Sequence, residues 1–222
     1  AVVFAGMGVP QFRPDTLIME SHKLVSDVNR KRGRDPSKIR DIKYVLRGTP
    51  TSGILTCTVM VRRELILQAS GTNQAIFGDR PQPCGDTPMW TALFRLGRIA
   101  YIDESLATYR QIAVSATRNP CPAKVLRTSI AMKEQMLHLI DAYGLPATEK
   151  ALHLQDLWKR RLRLAFYERD PSLAREAKGH LSHLSWIEWV EFWGAQVRSV
   201  HPVGRLLLGI FCRDLIPVVK KD

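Results

Sequence analysis

The hydrophobic pattern of the first 120 residues favours short strands that are connected by turns and helices. Runs rich in β-branched residues lie between glycine, proline and acidic turn residues, which is the pattern of strands. Strands are predicted at residues 1–9, 55–61, 99–102 and 106–109. Strands that are mixed with helices along one chain indicate an α/β domain.

Two helices and a loop are predicted between these strands. The segment 62–69 is helical in pattern, and residues 70–85 have the glycine, proline and polar content of a long loop that can close over a ligand. The next helix begins at Asp86 or Thr87, either of which can cap its first turn, and it ends at Gly97.

From residue 122 onward the apolar residues recur at helical spacing. Asp170 followed by Pro171 opens one helix, and Ser185 opens another helix, which carries an apolar series at spacings of three and four. The members of that series are Trp186, Trp189, Val190 and Trp193. The pattern predicts two regions, an α/β domain at 1–120 and a helical extension at 121–222.

Composition and charge limit the classes of partner that the chain is expected to bind. The chain has a formal net charge of +12, so part of its surface should attract anions. No nucleic-acid-binding motif accompanies this charge, so we expect no nucleic-acid partner. Four cysteines lie far apart, without a Cys-x-x-Cys pair, which argues against a zinc module or a disulfide framework.

Targeting and membrane signals are weak in this sequence. No charged region precedes an apolar stretch at the start, so no signal peptide is predicted. No apolar stretch approaches the roughly 20 residues that cross a bilayer. The expected location is the cytoplasm, with attachment to the inner face of the membrane left open.

Two segments contain most of the candidate catalytic and substrate-binding residues. Residues 84–90 are Cys-Gly-Asp-Thr-Pro-Met-Trp, and residues 97–110 are Gly-Arg-Ile-Ala-Tyr-Ile-Asp-Glu-Ser-Leu-Ala-Thr-Tyr-Arg. In their order and spacing they resemble the C-terminal half of inverting family 2 glycosyltransferases with the GT-A fold. The resemblance covers roughly residues 40–118. It implies a partial GT-A-like domain that transfers a sugar from a nucleotide-sugar donor to the hydroxyl of a glycan, lipid-linked or protein acceptor.

The resemblance also implies parts that this chain lacks. The opening residues 2–9 resemble the strand that follows the family's metal-binding Asp-x-Asp motif, and no such motif occurs here. The donor-binding half and the ligands of Mg²⁺ or Mn²⁺ are therefore expected upstream of this chain. No metal ligand is assigned within it; the pair His180 and His183 has no third partner at a known spacing.

Asp86 is the candidate catalytic base. Sugar transfer with inversion needs a carboxylate that takes the proton of the acceptor hydroxyl as its oxygen attacks the anomeric carbon. The start of a helix after a flexible loop suits this role, because the position is accessible and the helix dipole favours a negative charge there. The alternative is that Asp86 only caps the helix. Gly85 before it would allow a substrate to approach the backbone closely.

Three more residues are candidates for substrate binding. Tyr109 and Arg110 correspond to the Tyr-Arg segment of the resembling enzymes, where a guanidinium stabilises phosphate charge; an ion pair with Asp103 or Glu104 is the structural alternative. The family's histidine after this segment is absent. Trp90 has a ring that can stack on a sugar, although a tryptophan on the apolar face of a helix is more often part of the core.

The C-terminal tail leaves two interpretations open. Its tryptophans and basic residues form amphipathic segments that either pack on the first domain or lie at an anionic membrane surface. The same features support an alternative function for the whole chain: a non-catalytic, basic, helix-rich module that binds a membrane surface or a partner protein.

Overall fold

In the computed structural model the described residues are 2–5, 8–12, 19–24, 59–102, 121–197 and 199–211. The chain divides into two compact units, Ala1–Ile112 and Ala113–Asp222. Each unit is described by itself below.

The strands that the structure describes lie in the first unit. They are β1 Val2–Ala5, β2 Gly8–Phe12, β3 Met19–Leu24, β4 Val59–Val61 and β5 Ile99–Ile102. Strand β1 is the centre of a three-stranded sheet, with β4 antiparallel on one side and β5 parallel on the other. Strands β2 and β3 pair antiparallel in a second sheet.

The predicted strands are found in part. Strand β5 has the predicted bounds 99–102, and β4 is the end of the strand predicted at 55–61, whose residues 55–58 lie outside the described part. The single strand predicted at 1–9 is two strands, and β2 continues through Pro10. The strand predicted at 106–109 lies outside the described residues.

The described part of the first unit also contains two helices, α1 Arg63–Phe77 and α2 Asp86–Leu96. They pack against each other, and Ala69 of α1 lies in one buried cluster with Trp90, Ala92 and Leu93 of α2. Val59 and Val61 of β4 pack against this cluster, so the strand and both helices share one core. Burial of such apolar surface holds the elements together.

Helix α1 is longer than predicted. Ala69, Asn73 and Phe77 are buried and spaced by four, so one face of the helix continues into the core beyond residue 69. The helix ends at Gly78, whose φ of 55° favours glycine. The loop predicted over 70–85 is therefore confined to residues 78–85, and its first half is helix.

The second unit, where it is described, consists of helices. They are α3 Pro122–Ala142, α4 Ala147–Glu168, α5 Pro171–His180, α6 Trp186–Gln196 and α7 Val200–Phe211. Helix α4 is central, because it packs against α3, α5 and α6. Its Leu162 and Ala165 join Phe192 of α6 in a shared buried cluster.

The predicted starts of α5 and α6 are confirmed by their caps. Asp170 Oδ1 accepts hydrogen bonds from the backbone N–H groups of Ser172 and Leu173, at 2.9 and 3.0 Å. Ser185 and Glu188 form a reciprocal capping box at the start of α6. These contacts satisfy backbone donors that the first turn of a helix leaves unpaired.

The predicted fold class, α/β with a partial GT-A-like domain, is wrong. The described part of the chain is mostly helical. Its strands have three to six residues, whereas its helices have 10 to 22 residues. The physical reason is that apolar residues recur at helical spacings of three and four in residues 63–77 as well as after residue 121. Most of the core is therefore formed by apolar side chains of helices.

Gly194 of α6 has no room for a side chain, and this gives a stability prediction. A Cβ atom at residue 194 would collide with the ring of Phe166, which is fully buried. Gly194→Ala is expected to lower the free energy of unfolding by about 1–3 kcal/mol through overpacking. Gly179→Ala in α5 is the matched control, because open space surrounds that position. The control should gain up to about 1 kcal/mol from helix propensity. Urea unfolding measures both; equal effects would contradict the assigned packing.

Candidate functional site

Asp86 lies at the exposed start of a helix that is otherwise well anchored. It is the first residue of α2, and its side chain is exposed to solvent. The six buried residues of α2 follow within about two turns; they are Thr87, Pro88, Trp90, Thr91, Ala92 and Leu93. An aspartate on such a helix has a backbone position fixed by packing and a side chain that is accessible to solvent, which suits a reacting group.

The structure also bears on the capping alternative for Asp86. The N-cap of α2 is Gly85, which has no side chain that could cap the helix. Asp86 is inside the first turn, where the helix dipole favours its charge. Asp86 is therefore not the N-cap residue of α2.

Polar contacts within α2 stabilise the turn that follows Asp86. Thr91 Oγ1 donates to the carbonyl oxygen of Thr87 at 2.6 Å, and both residues are buried. Cys84 Sγ lies 3.7 Å from Thr87 Oγ1, which connects the end of the loop to the first turn. Residues 78–83 of the loop are exposed. The loop is thus exposed over most of its length and is held at its end by the contact with Thr87.

The other candidate residues have different positions. Gly85 is exposed beside Asp86, and a Cβ atom there would meet open space. Trp90 is buried in the core of the first unit, and its Nε1 has no hydrogen-bond partner among the described residues. We therefore assign Trp90 to the core. Tyr109 and Arg110 lie outside the described residues.

A metal site is not formed by the described residues. Within them, no three His, Cys, Asp or Glu side chains form a group that could hold a metal ion. His180 instead stacks on the ring of Trp158, with centroids 3.8 Å apart. The resemblance places the ligands of Mg²⁺ or Mn²⁺ upstream of this chain, and no chemical step below is derived through a metal.

A second group of charged residues, which the sequence analysis missed, lies between α4 and α6. Glu191 is fully buried, and its Oε1 accepts a hydrogen bond from Arg163 Nε. Glu188 is also buried, and its carboxylate pairs with Lys159 at 3.0 Å. The only signal in the sequence is the spacing of three between the two glutamates on α6, which places them on adjacent parts of one face.

The pKa values of the two glutamates are shifted in opposite directions. Burial raises the pKa of Glu191 from 4.5 to about 7, because desolvation outweighs the attraction of Arg163. Burial also acts to raise the pKa of Glu188, but hydrogen bonds from Ser185 and Lys159 outweigh it and hold that pKa below its ordinary value. The buried face of α6 thus contains one carboxyl that is partly protonated near neutral pH.

This difference predicts a pH dependence of stability. Folded Glu191 binds its proton more tightly than the unfolded chain does, so stability is highest below the unfolded pKa of 4.5 and falls as the pH rises through about 7. The expected loss is about 3 kcal/mol. Urea unfolding from pH 4 to 8 measures it, and Glu191→Gln is the reference. The difference between the two curves should show this slope; parallel curves would contradict the raised pKa.

The tryptophans of α6 lie on the opposite side from these glutamates. Trp186, Trp189 and Trp193 are 53%, 37% and 49% exposed. Among the described residues, no helix has the length and apolar content to cross a bilayer. The core face of α6 is formed by other residues, including Phe192 and Ala195.

Comparison with known proteins does not assign the chain to a family. No family model, no curated protein and no solved structure matches the chain. The functional argument therefore depends on the chain's own residues.

Proposed function

We propose that the protein transfers a sugar from a nucleotide-sugar donor to an acceptor hydroxyl with inversion, and that Asp86 is the catalytic base. The observation that supports the proposal is the exposed carboxylate at the first residue of a helix that is buried over its next two turns. The acceptor belongs to a glycan, a lipid-linked molecule or a protein. The resemblance of residues 84–110 to family 2 glycosyltransferases motivated this choice of chemistry.

The proposed step balances without further reactants. Asp86 takes the proton of the acceptor hydroxyl while the hydroxyl oxygen bonds to the anomeric carbon of the sugar. The bond from that carbon to the diphosphate oxygen breaks on the opposite side, and the nucleoside diphosphate leaves with the bonding electrons. Because attack and departure occur on opposite faces, the anomeric configuration inverts.

The position of Asp86 supports this role in two ways. A base must lie within hydrogen-bond reach of the proton that it removes, and an exposed side chain beside the exposed Gly85 leaves room for an incoming alcohol. A base that stands on a packed helix loses little order when the substrate binds, which favours a productive geometry.

A nucleotide-sugar screen tests the proposal. The natural polypeptide that contains these 222 residues is incubated with each donor, Mg²⁺ or Mn²⁺, and pooled glycan and lipid-linked acceptors. Release of nucleoside diphosphate that depends on acceptor, with a product of inverted configuration, is the expected result. If no donor is consumed, the transferase proposal is wrong, and the alternative of a non-catalytic, basic, helix-rich module replaces it.

A further inference from the structure

One face of α6 exposes aromatic side chains in a regular series. Trp186, Trp189 and Trp193 recur at spacings of three and four on α6, and Val197 follows the end of the helix; all four are exposed. We call these four residues the tryptophan stripe. At 100° per residue the three tryptophans fall within a narrow sector of the helix, opposite the buried Glu191 and Ala195. An apolar series of this kind on the solvent side is unusual for a helix that already has a core face.

The acidic residues of α6 are turned away from the tryptophan stripe. Glu188 and Glu191 are buried and paired with Lys159 and Arg163 of α4. The negative charge of the helix is therefore compensated inside the unit. The exposed face of α6 itself has no acidic side chain among the described residues.

Lys178 of α5 lies beside the tryptophan stripe. Its Nζ is 4.8 Å from the ring centroid of Trp189 and 4.7 Å from that of Phe192. Glu176, the exposed acid of the same helix, lies two positions away and points to another side of α5. The charge that adjoins the aromatic rings is thus positive.

Helix α7 also exposes apolar residues. Val203 and Leu206 are 57% and 65% exposed. Arg205 is exposed too, but at 100° per residue it lies on the side of His201, away from these two residues. His201 and Gly204 are the buried residues of this helix segment, so its packed side is opposite to its apolar exposed side. Two successive helices of the second unit therefore present apolar groups to solvent, and Lys178 adds a cation beside the first of them.

We propose that the tryptophan stripe, together with the exposed face of α7, binds the surface of an anionic phospholipid membrane. Indole rings favour the boundary between headgroups and acyl chains, because one edge is apolar and the N–H is polar. Lysine and arginine next to an inserted apolar face are attracted to anionic headgroups. The overall charge of +12 acts in the same direction over longer distances.

The charge pattern favours a lipid surface over a second copy of the chain. Two copies that met through this face would bring Lys178 of each copy towards a like charge. An anionic membrane neutralises these cations instead. The inference does not depend on sugar transfer, because it uses no residue of the proposed active site.

Vesicle binding tests the proposal. The 222-residue chain is sedimented with vesicles of phosphatidylcholine alone, or with about 30% phosphatidylglycerol added. The anionic vesicles should bind at least about tenfold more tightly, and salt should weaken the binding. The double variant Trp186→Ser/Trp193→Ser should lose at least about tenfold in affinity. Lys178→Ala should lose about fivefold, the loss expected for one basic side chain at such a surface.

The matched control is Leu152→Ser on α4, because Leu152 is 58% exposed but lies on another helix. Its vesicle affinity should equal that of the unchanged chain, and so should that of Asp86→Asn. Circular dichroism and urea unfolding establish that each variant is folded.

Three outcomes would overturn the proposal. The first is equal binding to neutral and anionic vesicles, or no binding, by the folded chain. The second is a loss of affinity in Leu152→Ser as large as in the double tryptophan variant. The third is a dimer, measured by light scattering, that the double variant dissociates while vesicles remain unbound; that result would assign the stripe to a second copy.

Discussion

Asp86→Asn is expected to lower the rate of sugar transfer by about 10²- to 10⁴-fold, the contribution typical of a general base. The amide cannot take a proton from the acceptor hydroxyl, so the attacking oxygen remains a poor nucleophile. The substitution keeps the shape of the side chain, and the exposed position leaves the core of α2 unchanged. Donor affinity and the free energy of unfolding should therefore stay close to those of the unchanged protein.

The matched control for this variant is Asp79→Asn. Asp79 is an exposed aspartate in the loop of residues 78–85, seven positions before Asp86, and the account gives it no part in chemistry. Its transfer rate should equal that of the unchanged protein. An equal loss in both variants would point to loop charge rather than to a base at Asp86.

Arg163→Ala should destabilise the second unit by about 3–5 kcal/mol at a pH above the pKa of Glu191, which is the cost of leaving a buried charge without its partner. Glu191 is fully buried, its Oε1 is bonded to Arg163, and its Oε2 has no partner among the described residues. Without Arg163, the carboxylate of Glu191 lacks the positive charge that compensates its own negative charge. Urea unfolding at about pH 8 measures the loss.

The pH dependence of that loss distinguishes charge from packing. At about pH 5 the carboxyl of Glu191 is protonated in the folded state, because its pKa is raised to about 7. The cost of Arg163→Ala should then be much smaller. Adding Glu191→Gln to Arg163→Ala should restore most of the stability lost at pH 8, as a double-mutant cycle would show. A loss independent of pH and of residue 191 would mean that Arg163 acts through its aliphatic packing alone.

The helix boundaries were largely predictable from the sequence, because local chemistry sets them. Proline in the first turn and glycine after the last turn define α2, and the side chains of Asp170 and Ser185 start α5 and α6. The extension of α1 to Phe77 was missed because Gly71 and the polar residues near it favour a loop locally. Tertiary burial of Asn73 and Phe77 outweighs that preference.

The faces of α6 were the least predictable feature. Both sides of this helix contain apolar residues at spacings of three and four, so the pattern alone cannot decide which side is buried. In the structure Phe192 and Ala195 enter the core while the tryptophans remain exposed. Two glutamates accompany the core face; their partners on α4, and the capping box of Glu188 with Ser185, explain why they are tolerated there.

The candidate site was predictable in residue type but not in surroundings. Asp86 was chosen because a helix start after a loop suits a reactive carboxylate, and the structure places it at that start with its side chain exposed. The burial of Trp90 depends on the packing of α2 against α1 and β4, which no local pattern encodes. The fold class was misjudged for a related reason: short strands are conspicuous in sequence but contribute few residues to the structure.

An anionic nucleophile that carries no proton gives the most direct test of Asp86 as the base. Azide attacks the anomeric carbon without deprotonation, so it does not need the carboxylate. In the Asp86→Asn variant, supplied with the donor identified by the screen, azide should yield a glycosyl azide of inverted configuration while transfer to the alcohol acceptor stays low. Undiminished transfer to the alcohol, or a variant that binds the donor and forms no azide product, would contradict the account.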